Sequence, residues 1–130
     1  MHIGRSIDTA RRRVIVRVPE RVTGALVVKS VVELFRSRPP LASYDLIINL
    51  IRFDGDATNA DILAIKAGYD PIPREPGLKY TVFVSLDPHF ALWAETFDPQ
   101  FDDRRHLVVQ TQAEAEDFLD RARILDPATG

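Results

Sequence analysis

Four polar side chains follow an almost entirely apolar stretch near the middle of the chain, and they are the residues best placed to do chemistry. The stretch at 46–51 reads LIINLI, and Asp54, Asp56, Thr58 and Asn59 come soon after it. A nearly continuous apolar run is typical of a parallel strand that is covered on both faces. In open α/β sheets, ligand and switch sites lie just beyond the carboxyl ends of such strands. These four residues therefore form the predicted ligand or partner loop.

Two kinds of chemistry are open to this loop. The carboxylates of Asp54 and Asp56 could hold a hard cation such as Mg²⁺, but aspartate and glycine are also ordinary turn residues, and the sequence favours the turn. Thr58 could receive a phosphate or contact an anion at a helix start. The simpler interpretation is that its hydroxyl is an N-cap. We therefore predict no metal site and no cofactor.

Three aromatic residues, Phe90, Trp93 and Phe97, lie at helical spacing farther along the chain. They follow Asp87-Pro88, which is typical of a helix start because proline fits the first helical position. Aromatic side chains on one helix face could line a small apolar pocket. At this spacing they more often belong to the core. The sequence favours the core, and the apolar pocket is the alternative.

No set of residues in the sequence predicts catalysis. The chain has no cysteine, which excludes thiolate nucleophiles and cysteine-ligated metals. His2, His89 and His106 are far apart and lack the short spacing of a metal site. Ser85 has no flanking glycines of the kind that form a nucleophile elbow. We predict no catalytic residues and a protein that is not an enzyme.

Turn signals and hydrophobic periodicity divide the chain into elements in the order ββαβαβαβα. Strands are predicted at 3–7, 12–18, 44–51, 79–85 and 106–110, and helices at 24–36, 59–69, 88–97 and from 112 onward. The last helix is expected to bury Ala115, Phe118, Leu119, Ala122 and Leu125. The first two strands form a hairpin, and strands joined by a helix pair in parallel. The predicted fold is one α/β domain over residues 1–130, with a mixed, mostly parallel sheet and four helices.

The predicted helix 24–36 is apolar around nearly half of its circumference, and Leu26 adds an apolar residue on its polar side. A helix on one sheet face needs a stripe only a little over ~100° wide. The surplus predicts a homodimer, because two-fold contacts between identical subunits are the commonest way to cover such a surface. The alternative is that the N-terminal hairpin or the last helix covers it within one chain.

Charge and hydropathy limit the expected partners. The net charge is −2 at pH 7, so the domain as a whole lacks the basic character of nucleic-acid-binding proteins, and the run Arg11–Arg13 is expected to decorate an exposed hairpin. No apolar run approaches the roughly 20 residues of a membrane helix. The first residues lack the apolar core of a signal peptide. We expect a cytoplasmic protein without nucleic-acid or membrane partners.

Three segments of the chain resemble the SpoIIAA-like, STAS-type α/β domain of anti-sigma-factor antagonists. They are VIVRVPERVTG at 14–24, YDLIINLIRFDGDAT at 44–58, and TQAEAEDFL at 111–119, which follows the strand HLVVQ. They are similar to the family's strand–turn–helix entry, its central strand with the switch loop, and its closing strand with a capped helix. The resemblance spans nearly the whole chain and implies a SpoIIAA-like fold.

The same resemblance implies a role in regulation through a protein partner. In phosphorylated members of the family, the loop after the central strand carries an Asp-Ser-Ser-Gly type sequence, and a serine there is the kinase target. Here residues 53–59 contain no serine, and Thr58 is the only hydroxyl near the matching place; in this the chain is similar to bacterial members that lack the switch serine. We expect a non-catalytic regulatory or protein-interaction domain with an unknown protein partner. The alternative is a domain that binds a small apolar or anionic ligand near Phe90 and Trp93.

Overall fold

A five-stranded sheet forms the centre of residues 3–124, the part of the chain that the computed structural model describes. Its strands are β1 (Gly4–Asp8), β2 (Arg13–Arg17), β3 (Asp45–Asn49), β4 (Lys79–Val84) and β5 (Arg104–Val109). The helices are α1 (Gly24–Ser37), α2 (Asn59–Tyr69), α3 (His89–Phe97) and α4 (Gln112–Ile124). Short 3₁₀ helices at Pro39–Ser43 and Asp98–Gln100 follow α1 and α3. The element order is the one predicted.

The strands lie in the sheet in the same order as in the chain. β1 and β2 pair antiparallel, whereas β2 with β3, β3 with β4, and β4 with β5 all pair in parallel. The mixed, mostly parallel sheet is therefore confirmed, as is the parallel arrangement of the three strands predicted at 44–51, 79–85 and 106–110. Each parallel pair is joined by a helix, which is the connection such pairs need.

The sequential strand order determines where the helices lie. Crossovers between parallel strands are almost always right-handed, and this sheet grows in one direction, so α1, α2 and α3 fall on the same face. Their apolar side chains form the main core with residues such as Val16 and Phe83. α4 follows the last strand and packs on the opposite face, where Leu119 joins a smaller core with Ile47 and Val82.

α1 packs against both the sheet and α2, which accounts for its wide apolar arc. Val28, Val31 and Val32 are all buried. A Cβ added to Gly68 of α2 would lie 2.6 Å from Val32 Cγ1, so this glycine allows the two helices to approach closely. Much of the apolar surface that predicts a homodimer is thus covered by α2 of the same chain, although Leu26 is 42% exposed.

Arg13 departs from its predicted position. The sequence predicts that the run Arg11–Arg13 decorates an exposed hairpin, but Arg13 is only 2% exposed. α4 covers this part of the sheet, and its acids pair with the guanidinium: Nη2 lies 3.0 Å from Asp120 Oδ1 and Nη1 lies 3.5 Å from Glu116 Oε1. The prediction is wrong here because strand periodicity shows which residues share a face and not which helix will cover it.

β5 begins at Arg104, two residues earlier than predicted, and this arginine is buried. Its guanidinium donates to the backbone carbonyls of Ala42, Tyr44 and Tyr80, each at 2.9 Å. A planar group with several donors is well suited to serve carbonyls from different segments at once. Arg104 thereby joins β5 to β4 and to the 3₁₀ helix at Pro39–Ser43.

The residues that α4 is predicted to bury are buried to different extents. Ala115 and Leu119 are buried, whereas Phe118 and Ala122 are half-buried. Leu125 lies outside the described residues. Among those residues, α4 is the only helix on its face of the sheet, so its half-buried side chains border strand surface that no other helix covers.

Candidate functional site: a groove at the carboxyl edge of the sheet

The loop of residues 53–59 leaves the sheet at the carboxyl end of β3, as predicted. The Asn49 side chain accepts a hydrogen bond from the Ile51 backbone N–H at 3.1 Å. The chain then turns, with the Phe53 N–H bonded to the Leu50 carbonyl at 3.0 Å. These bonds direct the loop toward α1 and α3 at the sheet edge where α/β folds place their ligand and switch sites.

The loop is held closely against the turn before α1. A Cβ on Gly24 would lie 2.3 Å from the Asp56 carbonyl oxygen, and a Cβ on Gly55 would lie 2.6 Å from the Val22 carbonyl oxygen. Real Cβ atoms do not approach backbone oxygens this closely, so only glycine fits at either position. The loop is therefore a packed segment rather than a free excursion from the sheet.

The Asp54 carboxylate stabilises the turn before α1. Its Oδ1 accepts a hydrogen bond of 2.9 Å from the Arg21 backbone N–H. Arg21 has a φ of 64°, in the left-handed region that residues other than glycine rarely adopt. The bond from the aspartate helps to stabilise this strained backbone, which gives Asp54 a structural role.

Thr58 is the N-cap of α2, as predicted. Its Oγ1 accepts a hydrogen bond from the Asp61 N–H at 3.3 Å, and Asp61 Oδ2 accepts one from the Thr58 N–H at 2.9 Å. The two bonds form a capping box. The Thr58 carbonyl also accepts a hydrogen bond of 3.3 Å from the indole N–H of Trp93. Thr58 therefore starts α2 and connects the loop to α3.

The aromatic side chains of α3 belong mainly to the core, in agreement with the favoured interpretation. Phe90 and Phe97 are buried and Trp93 is half-buried. The Trp93 ring centroid is 4.5 Å from that of Phe97 and 5.4 Å from that of Phe83. The space beneath Trp93 is about 20 Å³, which is room for about one water molecule. The aromatic cluster is packed, and this space is too small for an apolar ligand.

An open groove of about 490 Å³ lies between the loop and α3. It brings together five of the predicted site residues: Asp56, Thr58, Asn59, Phe90 and Trp93. Two others, Asp54 and Phe97, do not line it. The loop residues and the aromatic residues, which the sequence assigns to separate candidate sites, are thus two walls of one groove.

The groove combines exposed apolar surface with acidic groups. Leu92 in its wall is 62% exposed, and Leu86, which immediately precedes the wall residue Asp87, is 68% exposed. Two carboxylates, those of Asp56 and Asp87, line the groove, and its lining contains no lysine or arginine. Asp87 Oδ1 also accepts a hydrogen bond of 2.9 Å from the His89 backbone N–H at the start of α3. The carboxylates of Asp56 and Asp87 disfavour an anionic ligand in this groove.

His106 is a buried titratable residue that sequence reasoning missed. Its ring lies against those of Phe97 and Phe101, and Nδ1 is 3.2 Å from Asp98 Oδ1. Burial, and then the charge of Arg104, lower the pKa of His106 to about 4, although Asp98 acts in the opposite direction. The ring is therefore neutral at pH 7. The signal that could have found it is the alternation along the strand, which turns every second side chain of β5 toward the core.

A second groove, of about 510 Å³, lies at the opposite, amino edge of the sheet. Most of its charges are paired within the protein: Arg12 with Glu75, and Arg123 with Asp45, whose Oδ2 lies 2.9 Å from the arginine Nε. Lys79 is buried there, and its ammonium donates to two backbone carbonyls at 2.6 and 2.8 Å. Burial lowers the pKa of Lys79. These contacts hold the surrounding segments on the sheet, and we assign no ligand to this groove.

A solved structure resembles this chain over almost its whole length. It is the crystal structure of an uncharacterized protein from the DUF3478 family with a SpoIIAA-like fold, from Shewanella loihica PV-4. The match has a TM-score of 0.62 and 13% sequence identity, and it covers 91% of this chain and 92% of that chain. The chain has a SpoIIAA-like fold. The resemblance predicted from the sequence is thereby confirmed for the fold, which by itself does not define a function.

Comparison of the sequence with known proteins identifies no relative of this chain. No protein-family model matches the chain, and no curated protein matches it. Within residues 3–124, no three histidine or acidic side chains are grouped so that they could hold a metal ion. In the same range, no helix has the length and apolar character needed to cross a membrane. The case for a function therefore depends on the groove itself.

Proposed function

We propose that this SpoIIAA-like domain is a non-catalytic regulatory domain of the cytoplasm, and that it binds a protein partner in the groove between the 53–59 loop and α3. The observation that carries the proposal is the exposed apolar surface around the groove. Three leucines in the segments that border it, Leu63, Leu86 and Leu92, are 59%, 68% and 62% exposed. Apolar side chains gathered beside a concave, polar-rimmed surface are typical of a protein interaction site.

The polar groups of the groove support binding rather than catalysis. The Thr58 hydroxyl is occupied in the capping box, so the proposal does not depend on its phosphorylation. Thr96, the other hydroxyl in the lining, donates a hydrogen bond of 3.1 Å to the Leu92 carbonyl, and the buried Ser85 accepts one of 3.1 Å from the Asp87 N–H. A nucleophile would need a neighbouring base within hydrogen-bond reach, and these hydroxyls instead form hydrogen bonds with backbone groups.

Site-specific photo-crosslinking in the cells that make the protein tests this proposal. A photoreactive residue is placed at Asn59, which is exposed and lines the groove, or at Asp117, an exposed position of α4 on the other face of the sheet. We expect an adduct of defined mass from position 59 that is absent from position 117 and is lost when Leu92→Asp is added. Equal adducts at both positions, or no adduct at position 59, would contradict the proposal.

A small apolar ligand is the weaker candidate. The space beneath Trp93 is about 20 Å³, whereas pockets for small molecules usually measure about 300–1,000 Å³. The groove itself is large enough, but its carboxylates and the exposed Leu92 fit a macromolecular surface better than an enclosed ligand. No observation favours the small ligand over the protein partner.

A further inference from the structure

The charges around the groove indicate the chemistry of the partner. Residues 53–65 contain three aspartates, and residues 85–97 contain Asp87 and Glu95, with no lysine or arginine in either segment. These segments supply the loop, the first half of α2 and all of α3, which include both walls of the groove. Resting on the proposed function, we propose that the partner presents a basic amphipathic segment, in which lysine or arginine residues flank large apolar side chains, and that this segment lies in the groove.

Asp56 and Asp87 are the carboxylates that would meet the basic side chains. Asp56 is exposed, and within residues 3–124 its side chain makes no hydrogen bond or ion pair. Asp87 uses Oδ1 for the His89 N–H and has a second carboxylate oxygen. A cationic side chain placed beside either residue gains favourable Coulomb energy without displacing an internal cation. Complementary charges of this kind favour fast association and selection of the correct partner.

Leu92 and the exposed edge of Trp93 would supply the apolar contacts. Both lie in the wall of the groove, and Leu92 is 62% exposed in the isolated chain. An amphipathic helix binds a groove by inserting apolar residues at i, i+3, i+4 and i+7. The same segment would place its lysines or arginines toward the acidic rim. Apolar contact and charge are therefore both required for recognition.

The same charge pattern disfavours other classes of macromolecule. Nucleic acids carry a negative charge at every phosphate, and anionic lipid surfaces are also negative. Both would be repelled by a groove that carries carboxylates and no lysine or arginine. An acidic protein segment would bring like charges together.

Trp93 provides a direct measurement, because it is the only tryptophan of the chain and it lines the groove. The full-length protein is titrated with three tryptophan-free peptides of about 14 residues, long enough for two or more helical repeats of anchors. The first carries leucines at helical spacing with lysines between them, the second has glutamate in place of lysine, and the third has serine in place of leucine. We expect only the first to shift the Trp93 emission with saturable, salt-sensitive binding.

Variants that replace one carboxylate by an amide show which carboxylates contribute to binding of the peptide. Asp56→Asn and Asp87→Asn should each lower the affinity for the lysine–leucine peptide roughly two- to fivefold, as expected for exposed ion pairs. The double variant should lower it further. Asp117→Asn removes the same charge from the opposite face of the sheet and should leave the affinity unchanged. If the glutamate peptide bound as tightly as the lysine peptide, or if Asp117→Asn weakened binding as much as Asp56→Asn, the proposed partner class would be overturned.

The two proposals fail in different ways. A crosslinked adduct from position 59, together with a glutamate or serine peptide that binds best, would overturn the basic segment and leave the protein-binding groove in place. Absence of the adduct, together with no response of Trp93 to any peptide, would overturn both.

Discussion

At the scale of single residues, the surroundings of His106 disfavour protonation of its ring. Its ring stacks among phenylalanine rings, and the charge of Arg104 is nearby. The hydrogen bond to Asp98 orients the ring and favours the proton on Nδ1. Burial dominates the balance, so the histidine contributes to the core as a neutral aromatic group.

We expect the free energy of unfolding to decrease as the pH falls through the interval between 6.5 and about 4, the normal and folded-state pKa values of His106. In that interval the unfolded chain binds a proton that the folded chain does not, so protonation favours unfolding. The loss amounts to roughly 3 kcal/mol and is complete below about pH 4. Urea denaturation at a series of pH values measures it. In the variant His106→Gln, which does not titrate, this part of the slope should disappear; an unchanged slope would contradict the assignment.

Gly24 tests the close contact between the loop and the turn before α1. Alanine usually stabilises a helix by about 1 kcal/mol relative to glycine, but here its Cβ would lie 2.3 Å from the Asp56 carbonyl oxygen. We expect Gly24→Ala to destabilise the protein by about 1–3 kcal/mol, as overpacking does, and to shift the Trp93 emission. The control is Gly4→Ala, where the nearest atom to the added Cβ is 3.7 Å away. A neutral Gly24→Ala variant would show that the loop is free to move.

The residues that the sequence could not place are those whose partners are distant in the chain. Asp45 pairs with Arg123, 78 residues away, and Arg13 pairs with Asp120, 107 residues away. Local patterns carry no information about such pairs. Thr58 was predictable, because an N-cap depends on residues within one helical turn.

At the scale of elements, α4 is held on its face of the sheet by apolar contacts and by buried ion pairs. Asp45, at the start of β3, is 2% exposed and receives two bonds from the Arg123 guanidinium and one from the Tyr80 N–H. Arg13 of β2 pairs with acids of the same helix. α4 is therefore fixed along its face by Leu119 and its neighbours, and toward its C-terminal end by ion pairs.

We expect Asp45→Ala to destabilise the protein by about 1–3 kcal/mol, because it removes a buried carboxylate that accepts two hydrogen bonds from the Arg123 guanidinium and one from the Tyr80 N–H. Chemical denaturation measures the change. Glu116→Ala is the matched control, since that carboxylate is partly exposed and Arg13 retains Asp120; it should cost under about 1 kcal/mol. Similar losses of stability in the two variants would contradict the role of the Asp45–Arg123 ion pair in holding α4 on the sheet.

Elements were more predictable than contacts. The bounds of α2 are those predicted, because Thr58 caps its start, and the predicted strand 79–85 differs from β4 by one residue. The predicted strand 106–110 begins two residues too late, because Arg104 and Arg105 have the composition of a loop and gain their strand conformation by pairing with β4. The groove could be predicted only in part. Its loop and its aromatic wall each have a sequence signal, but their meeting depends on β3 and β4 being neighbours.

At the scale of the whole molecule, the homodimer stays a prediction, and the structure narrows the surface that could form it. α2 covers much of the apolar arc of α1, and Leu26 is the large apolar residue of α1 that is most exposed. We expect Leu26→Lys to leave stability almost unchanged and to shift the sedimentation mass from two chains toward one. The control is Leu63→Lys, which places the same charge at an exposed leucine of α2 and should leave the sedimentation mass at two chains. A mass of one chain for the unmodified protein at tens of micromolar would contradict the homodimer.

The sequential strand order also has a consequence for synthesis on the ribosome. Each strand can join the edge of the sheet as soon as it emerges, since no strand has to be inserted between two others. The face that α4 covers is the exception, because Ile47 and Val82 stay open to water in the nascent chain until α4 has been made. During that interval the bare strand surface is the kind of transiently exposed apolar surface that makes incompletely folded chains prone to aggregate.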